Sequence, residues 1–423
     1  MILIKNGYLI DPKSGREGKL DLLIEGDRIR KIGPDLDVPE GDCRVMDAEG
    51  LVVAPGLVDV HVHFRDPGFE YKEDIATGAA AAARGGFTGV VMMANTKPPI
   101  DNVDTLRYVL DKGEKTPIHV YSCANVTRGM QGKELTPMST LAQAGAVGFT
   151  DDGIPLLDAD LVLQAMETAA TLDMPISFHE EDPKLIADNG INRGKASMHF
   201  GIGGSPREAE ISLIERDLKL AGQTNASILI QHISTREGVE AVRQAKARGF
   251  HVHAEATPHH FTLTEEAAIR YGTLAKMNPP LREEEDRQAI IAGLVDGTID
   301  VIATDHAPHS AEEKDREITA APSGIIGLET SLALGITTLV DGGYMTLKHL
   351  LSLMSTNPAR LYHLDAGYLK EGGPADVILI DTAADVCPGD YASKSCNTPF
   401  SGWRLKGLVK ANICAGKLVY EAE

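Results

Sequence analysis

The chain opens with short apolar stretches separated by turn dipeptides: Ile2 to Ile4, then Asn6-Gly7, then Tyr8 to Ile10, followed by Asp21 to Gly33 and Val45 to Gly56. Stretches this short, bounded by Gly, Asn, Asp and Pro, predict strands and tight turns rather than helices. The other end has the same texture, in Ala375 to Asp381 and Gly407 to Tyr420, where Ala415-Gly416-Lys417 reads as a hairpin turn. Residues 1–55 and 366–423 are therefore expected to build one small composite β-domain.

Between them the period changes. Apolar runs near residues 57–63, 87–94, 117–123, 146–150, 175–179, 227–232, 250–256 and 299–305 alternate with helical patterns at Ala79 to Ala83, Ala159 to Leu172, Arg207 to Ala221 and Arg236 to Arg248. Near-continuous apolar strands separated by helices describe a parallel sheet covered by helices. Eight such units predict an α/β fold, a (β/α)8 TIM-like barrel, over residues 56–365. The gap between the seventh and eighth strands contains Met277 to Leu281, where two prolines impose an extended loop.

Composition narrows the function classes. A formal charge of -20 argues against a protein that wraps phosphate backbones, so no nucleic-acid partner is expected. The N-terminus shows no signal-peptide pattern and no apolar run is long enough to span a bilayer, so no membrane partner is expected either. Five scattered cysteines without CxxC spacing fit small buried residues in a reducing, cytoplasmic setting.

In a barrel of this kind reactive groups collect at the C-terminal ends of the strands. Strand one ends in His61-Val62-His63, whose period of two aims both imidazoles to one side; strand four runs into Asp151-Asp152, strand five into His179, strand six into His232 and strand eight into Asp305. A lone HxH is compatible with a packed strand. Imidazoles and carboxylates converging from five strand ends are a donor set for zinc, sufficient for two ions with a bridging carboxylate. His251 and His253 form a second HxH, but they begin strand seven and are expected at the far end of the barrel.

The segments His61-Val-His-Phe-Arg-Asp-Pro-Gly68, Asn95-Thr96, Phe149-Thr-Asp-Asp-Gly153, Lys276-Met-Asn-Pro-Pro-Leu281 and Ala303-Thr-Asp-His-Ala-Pro-His309 resemble the dihydroorotase family, in its bacterial class I branch within the amidohydrolase superfamily. The similarity spans essentially the whole chain. It implies that His61, His63 and Asp305 hold one Zn2+ and that His179 and His232 hold a second, with Asp152 between them. Asp151 is the alternative bridge, and whichever aspartate is left over reads as a turn or helix-cap residue. A carboxylated lysine is not expected, because Ala146-Val-Gly-Phe-Thr150 contains no lysine. One or two ions fit the family, with two favoured.

The resemblance implies reversible hydrolysis of (S)-dihydroorotate to N-carbamoyl-L-aspartate, a step of pyrimidine biosynthesis. Asp305 would be the catalytic acid and base. The ring carboxylate calls for a guanidinium, and Arg65, two residues past His63, is the candidate. By resemblance, the substrate would also meet His63, Phe64, Asn95, Asn278, His309, Ser323 and Gly324. The chain departs from the family at Ser323, where Phe is common, and at Glu180, where Cys is common; neither change removes a ligand. A homodimer and association with aspartate carbamoyltransferase are further expectations. The rival readings are a hydantoinase- or allantoinase-like cyclic amidase and a non-catalytic scaffold for that transferase.

Overall fold

A computed structural model describes residues 1–422. Its centre is an eight-stranded parallel sheet in sequential order: β1 (Leu57–Val62), β2 (Phe87–Met92), β3 (His119–Ala124), β4 (Gly148–Thr150), β5 (Ile176–Phe178), β6 (Ile228–Ile230), β7 (Val252–Ala256) and β8 (Val301–Ile302). The ring closes just past the strand ends, where Val62 pairs with His306 in parallel and the His63 N–H donates to the His306 carbonyl at 2.9 Å. The expected barrel is therefore present, with all eight strands at the positions read from the apolar runs.

Several strands end earlier than their apolar patterns. β8 stops at Ile302, three residues before Asp305, and β6 stops at Ile230, two before His232. Asp305 has φ +48° and His232 has φ +31°, so each chain segment leaves the extended region as it reaches its functional residue. Arg65, past the end of β1, is also left-handed at φ +62°. Such conformations cost of order 1–3 kcal/mol for non-glycine residues and persist where surrounding contacts over-determine them.

The helices pack on the outside with the expected spacing. Arg207–Ala221 buries Ala209, Leu213, Ile214, Leu218 and Ala221 along one stripe. The alanine-rich helix Ile75–Arg84 starts at Asp74, whose carboxylate accepts the N–H groups of Ala76 and Thr77. Its small residues admit close approach: a Cβ on Gly78 would lie 2.3 Å from the Phe64 ring. Residues 276–283 form no helix and bend at Asn278-Pro279, in keeping with the two prolines.

The terminal segments interleave in two further sheets. One orders Arg28–Gly33, Asp21–Glu25, Ile2–Lys5 and Arg44–Asp47; the other orders Lys417–Glu421, Leu405–Cys414, Val377–Val386, Val52–Pro55, Tyr8–Asp11 and Arg16–Lys19. They share an apolar cluster that includes Ile4, Leu9, Leu22, Ile24, Val53, Val377, Leu379 and Ile413. The hairpin read at Ala415-Gly416 is formed, with both residues at positive φ and Cys414 paired to Lys417. No helix among the described residues is long and apolar enough to cross a membrane.

Candidate active site

Four imidazoles and two carboxylates meet at the C-terminal mouth of the barrel. Asp152 lies among the histidines: its Oδ1 is 3.4 Å from His61 Nε2, 3.7 Å from His179 Nδ1 and 3.8 Å from His232 Nε2, and its Oδ2 is 3.4 Å from His63 Nε2. Asp305 Oδ1 stands 3.0 Å from His63 Nε2 and 3.6 Å from His61 Nε2. All six residues are buried. Two overlapping groups have metal-site spacing, His61 with Asp152 and His232, and His61 with His63 and Asp305.

The donor set fits metal ions. His61 Nε2 and Asp152 Oδ1 are buried atoms without a hydrogen-bond partner, although such atoms are normally satisfied. His179 Nδ1 and His232 Nε2 point at one another across 3.0 Å. The outward ring nitrogens of two of the histidines are meanwhile engaged by other side chains. His61 Nδ1 donates to Glu255 Oε1 at 2.5 Å and His63 Nδ1 donates to Asn95 Oδ1 at 3.0 Å, while the Glu181 carboxylate lies 3.3 Å from His179 Nε2 without a hydrogen bond. Ligating histidines are oriented by bonds of this type.

Electrostatics within the cluster favours ionised carboxylates. Burial alone would raise Asp152 and Asp305, but the imidazoles around them overcome it and hold both well below the usual carboxylate range. Burial opposes the charged form of His179 too, yet Asp152 and Glu181 push it up to about 10.

Asp151 turns away from the cluster. Its carboxylate accepts the N–H groups of Val126 and Thr127 and the Asn125 amide, and also bonds the Thr127 hydroxyl, binding the end of β4 to the loop after β3. Of the two aspartates left open by the sequence, only Asp152 faces the histidines. His253, in the second HxH, lies 3.5 Å from Asp300 at the opening of β7, at the barrel's other end as expected.

Above the cluster is a cleft of about 190 Å³ lined by His63, Arg65, Asn95, Asp152, His179, His232, Asn278, Asp305, His309, Ser323 and Gly324. Arg65 is half-buried and donates from Nε to the Pro308 carbonyl at 3.3 Å. Asn95 donates from Nδ2 to Asp152 Oδ2 at 3.1 Å, so one amide grips both His63 and Asp152. Asn278 Nδ2 lies 3.2 Å from His179 Nε2. The Gly324 N–H is already committed to the Lys276 carbonyl at 2.9 Å.

The Phe64 side chain does not line the cleft. Phe64 is fully buried in the main apolar core, edge-on to His306 and against Gly78, because alternation along the extended chain turns it away from the face shared by His61 and His63.

A family model described as dihydro-orotase-like matches residues 50–238. The dihydroorotase of Clostridioides difficile (strain 630) is 54% identical over 422 residues, covering 100% of both chains. The dihydroorotase of Lactococcus lactis subsp. lactis (strain IL1403) is 51% identical over 423 residues, again covering 100% of both. This chain belongs to the dihydroorotase family. Among solved structures, an L-hydantoinase (dihydropyrimidinase) from Arthrobacter aurescens superposes with TM-score 0.90 at 25% identity, covering 99% of this chain and 96% of that one. A dihydropyrimidinase from Brevibacillus agri NCHU1002 gives TM-score 0.87 at 22% identity, covering 99% and 95%, and supports the fold.

Several residues around this dihydroorotase-family site were not singled out from the sequence. Glu255 is fully buried on β7 and accepts from both His61 Nδ1 and the His232 N–H. Its signal was a glutamate inside an otherwise uncharged strand end, Ala254-Glu-Ala256, overshadowed by the nearby histidine pair. Lys72, buried, and Glu313, part-buried, form an ion pair at 2.9 Å behind His309. No spacing rule links residues that far apart in the chain.

Proposed function

We propose that this chain, a cyclic amide hydrolase, reversibly opens the ring of (S)-dihydroorotate to N-carbamoyl-L-aspartate, with Zn2+ as its metal. His61, His63 and Asp305 would hold one ion, His179 and His232 a second, and Asp152 would reach both. The observation that carries the reading is the meeting, in one cleft, of a buried histidine and aspartate donor set with the guanidinium of Arg65. Bound zinc supplies Lewis acidity, polarising a carbonyl and lowering the pKa of water.

The protein's own groups provide the rest. Asp305, ionised across the neutral range, accepts a proton from the attacking water. As the carbon–nitrogen bond of the ring breaks, the same carboxyl returns that proton to the leaving nitrogen. Arg65 and His309 would hold the ring carboxylate, Asn278 the ring amide, and the Ser323–Gly324 segment the open side of the cleft. Asn95 supports the reading by fixing His63 and Asp152. Phe64 would contribute only through its backbone.

The same reading takes residues 56–365 as the metal-binding barrel and residues 1–55 with 366–423 as the composite β-domain. It includes a cytoplasmic homodimer able to associate with aspartate carbamoyltransferase, on the family resemblance.

A hydantoinase-like activity is the rival from the same superfamily, and retention of the whole donor set disfavours a silent scaffold. The deciding experiment combines metal analysis of the purified protein with assays on dihydroorotate, hydantoin and allantoin. Turnover of dihydroorotate, lost on chelation and restored by Zn2+, is expected. Turnover of hydantoin without dihydroorotate would refute the substrate.

A further inference from the structure

His309 sits beside Arg65 at the edge of the cleft, with its ring almost wholly buried. Its Nε2 is 2.9 Å from the Ser323 carbonyl oxygen, a group that only accepts. Its Nδ1 is 3.2 Å from Lys72 Nζ, a group that only donates. Both neighbours demand the same tautomer, with the proton on Nε2 and a lone pair on Nδ1.

The competing arrangement would have Nδ1–H donate to Glu313 Oε2, which is 3.4 Å away. That oxygen already accepts the Ser310 N–H at 3.0 Å, and a proton on Nδ1 would face the closer ammonium of Lys72. Glu313 instead balances Lys72: its Oε1 accepts from Lys72 at 2.9 Å and from the Tyr71 hydroxyl at 2.8 Å. Burial, together with the positive charges of Arg65, Lys72 and Lys314 and against the carboxylate of Glu313, holds His309 down to about 2. The ring is therefore neutral at physiological pH.

With its proton there, Nε2 lies 3.5 Å from Arg65 Nη2. Both are donors, so the contact is not a hydrogen bond; the Nε2–H is accepted by the Ser323 carbonyl, and an anionic oxygen entering beside Arg65 would take that N–H over from it. We propose that Lys72 is a positioning residue for substrate recognition, holding His309 as a neutral Nε2–H donor that passes from the Ser323 carbonyl to the ring carboxylate beside Arg65. The passage to that carboxylate rests on the dihydroorotate reading above, while the tautomer rests on geometry alone.

The test is nitrogen NMR on the metal-loaded enzyme labelled at histidine, with the His309 signals identified by their absence in His309→Gln. A protonated Nε2 and bare Nδ1 are expected from pH 6 to 9. Lys72→Met should disturb that pattern and raise KM for dihydroorotate about tenfold, with a smaller change in kcat. Lys72→Arg, also a pure donor, should restore both. In a His309→Gln background, where an amide replaces the ring and no tautomer remains to be set, Lys72→Met should add little further rise in KM.

A wild-type proton on Nδ1 would overturn the proposal even if Lys72→Met does not fold, and so would an unchanged pattern in a folded Lys72→Met. A wild-type enzyme that carries the expected tautomer but turns over no dihydroorotate would instead overturn the substrate reading.

Discussion

His61 Nδ1 lies 2.5 Å from Glu255 Oε1, a contact between β1 and β7 with neither side chain exposed to solvent. The bond fixes the tautomer that leaves His61 Nε2 bare toward Asp152 and Asp305. Glu255→Gln keeps the shape but weakens this constraint, and metal affinity should fall about 10–100-fold. Equilibrium dialysis against a graded chelator series measures it; wild-type affinity in the variant would contradict the role.

Asp305→Asn replaces one of the two carboxylates among the described residues that line the cleft; the other, Asp152, is packed among four imidazoles. Turnover should fall by at least about 10²-fold while the melting temperature and far-UV spectrum stay near wild type. Steady-state rates in both reaction directions test this, since one group serves both.

Arg65→Met should raise KM for dihydroorotate by about tenfold or more, and Arg65→Lys should recover little of it, because a point charge cannot reproduce a planar fork. Any side activity on uncharged cyclic amides should be much less affected. Equal losses on charged and uncharged substrates would show that Arg65 serves the loop rather than the ligand.

Lys314 gives a pH signature in stability. Its ammonium is buried and donates to the carbonyls of Pro322 and Gly324, and burial together with the charge of Lys276 lowers its pKa to about 7. Below pH 7 the folded and unfolded chains both carry this proton. Between pH 7 and the ordinary lysine value of 10.5 the unfolded chain keeps it while the folded chain releases it, so this group makes stability rise with pH, by at most about 1.4 kcal/mol per unit. Denaturant midpoints at pH 7 and 9.5 should rise more in wild type than in Lys314→Met.

The sequence carried the parts of this site that obey a local period. The barrel strands are visible as apolar runs, and five of the eight runs lead into the histidines and aspartates that meet in the cluster. The choice between Asp151 and Asp152 was not local: it depends on whether the β3 loop offers N–H groups to one of them, which Val126 and Thr127 do for Asp151. Phe64, expected at the substrate by resemblance, has its side chain buried by the same alternation that turns His63 toward the cleft. Glu255, Lys72 and Glu313 act through partners roughly 190 to 240 residues distant, and no single-chain pattern encodes such pairings.

The seam at which β1 meets the segment after β8 runs directly beneath the cleft. His63 and Asp305 touch across it, although 242 residues separate them. A ribosome delivers His61 and His63 early, but nothing completes their side of the donor set until the last strand has emerged and docked. Chains stalled or clipped before residue 305 would own every histidine of the set and still be chemically silent, so restored turnover after refolding reports the moment the ring shuts, which a helix-content signal does not.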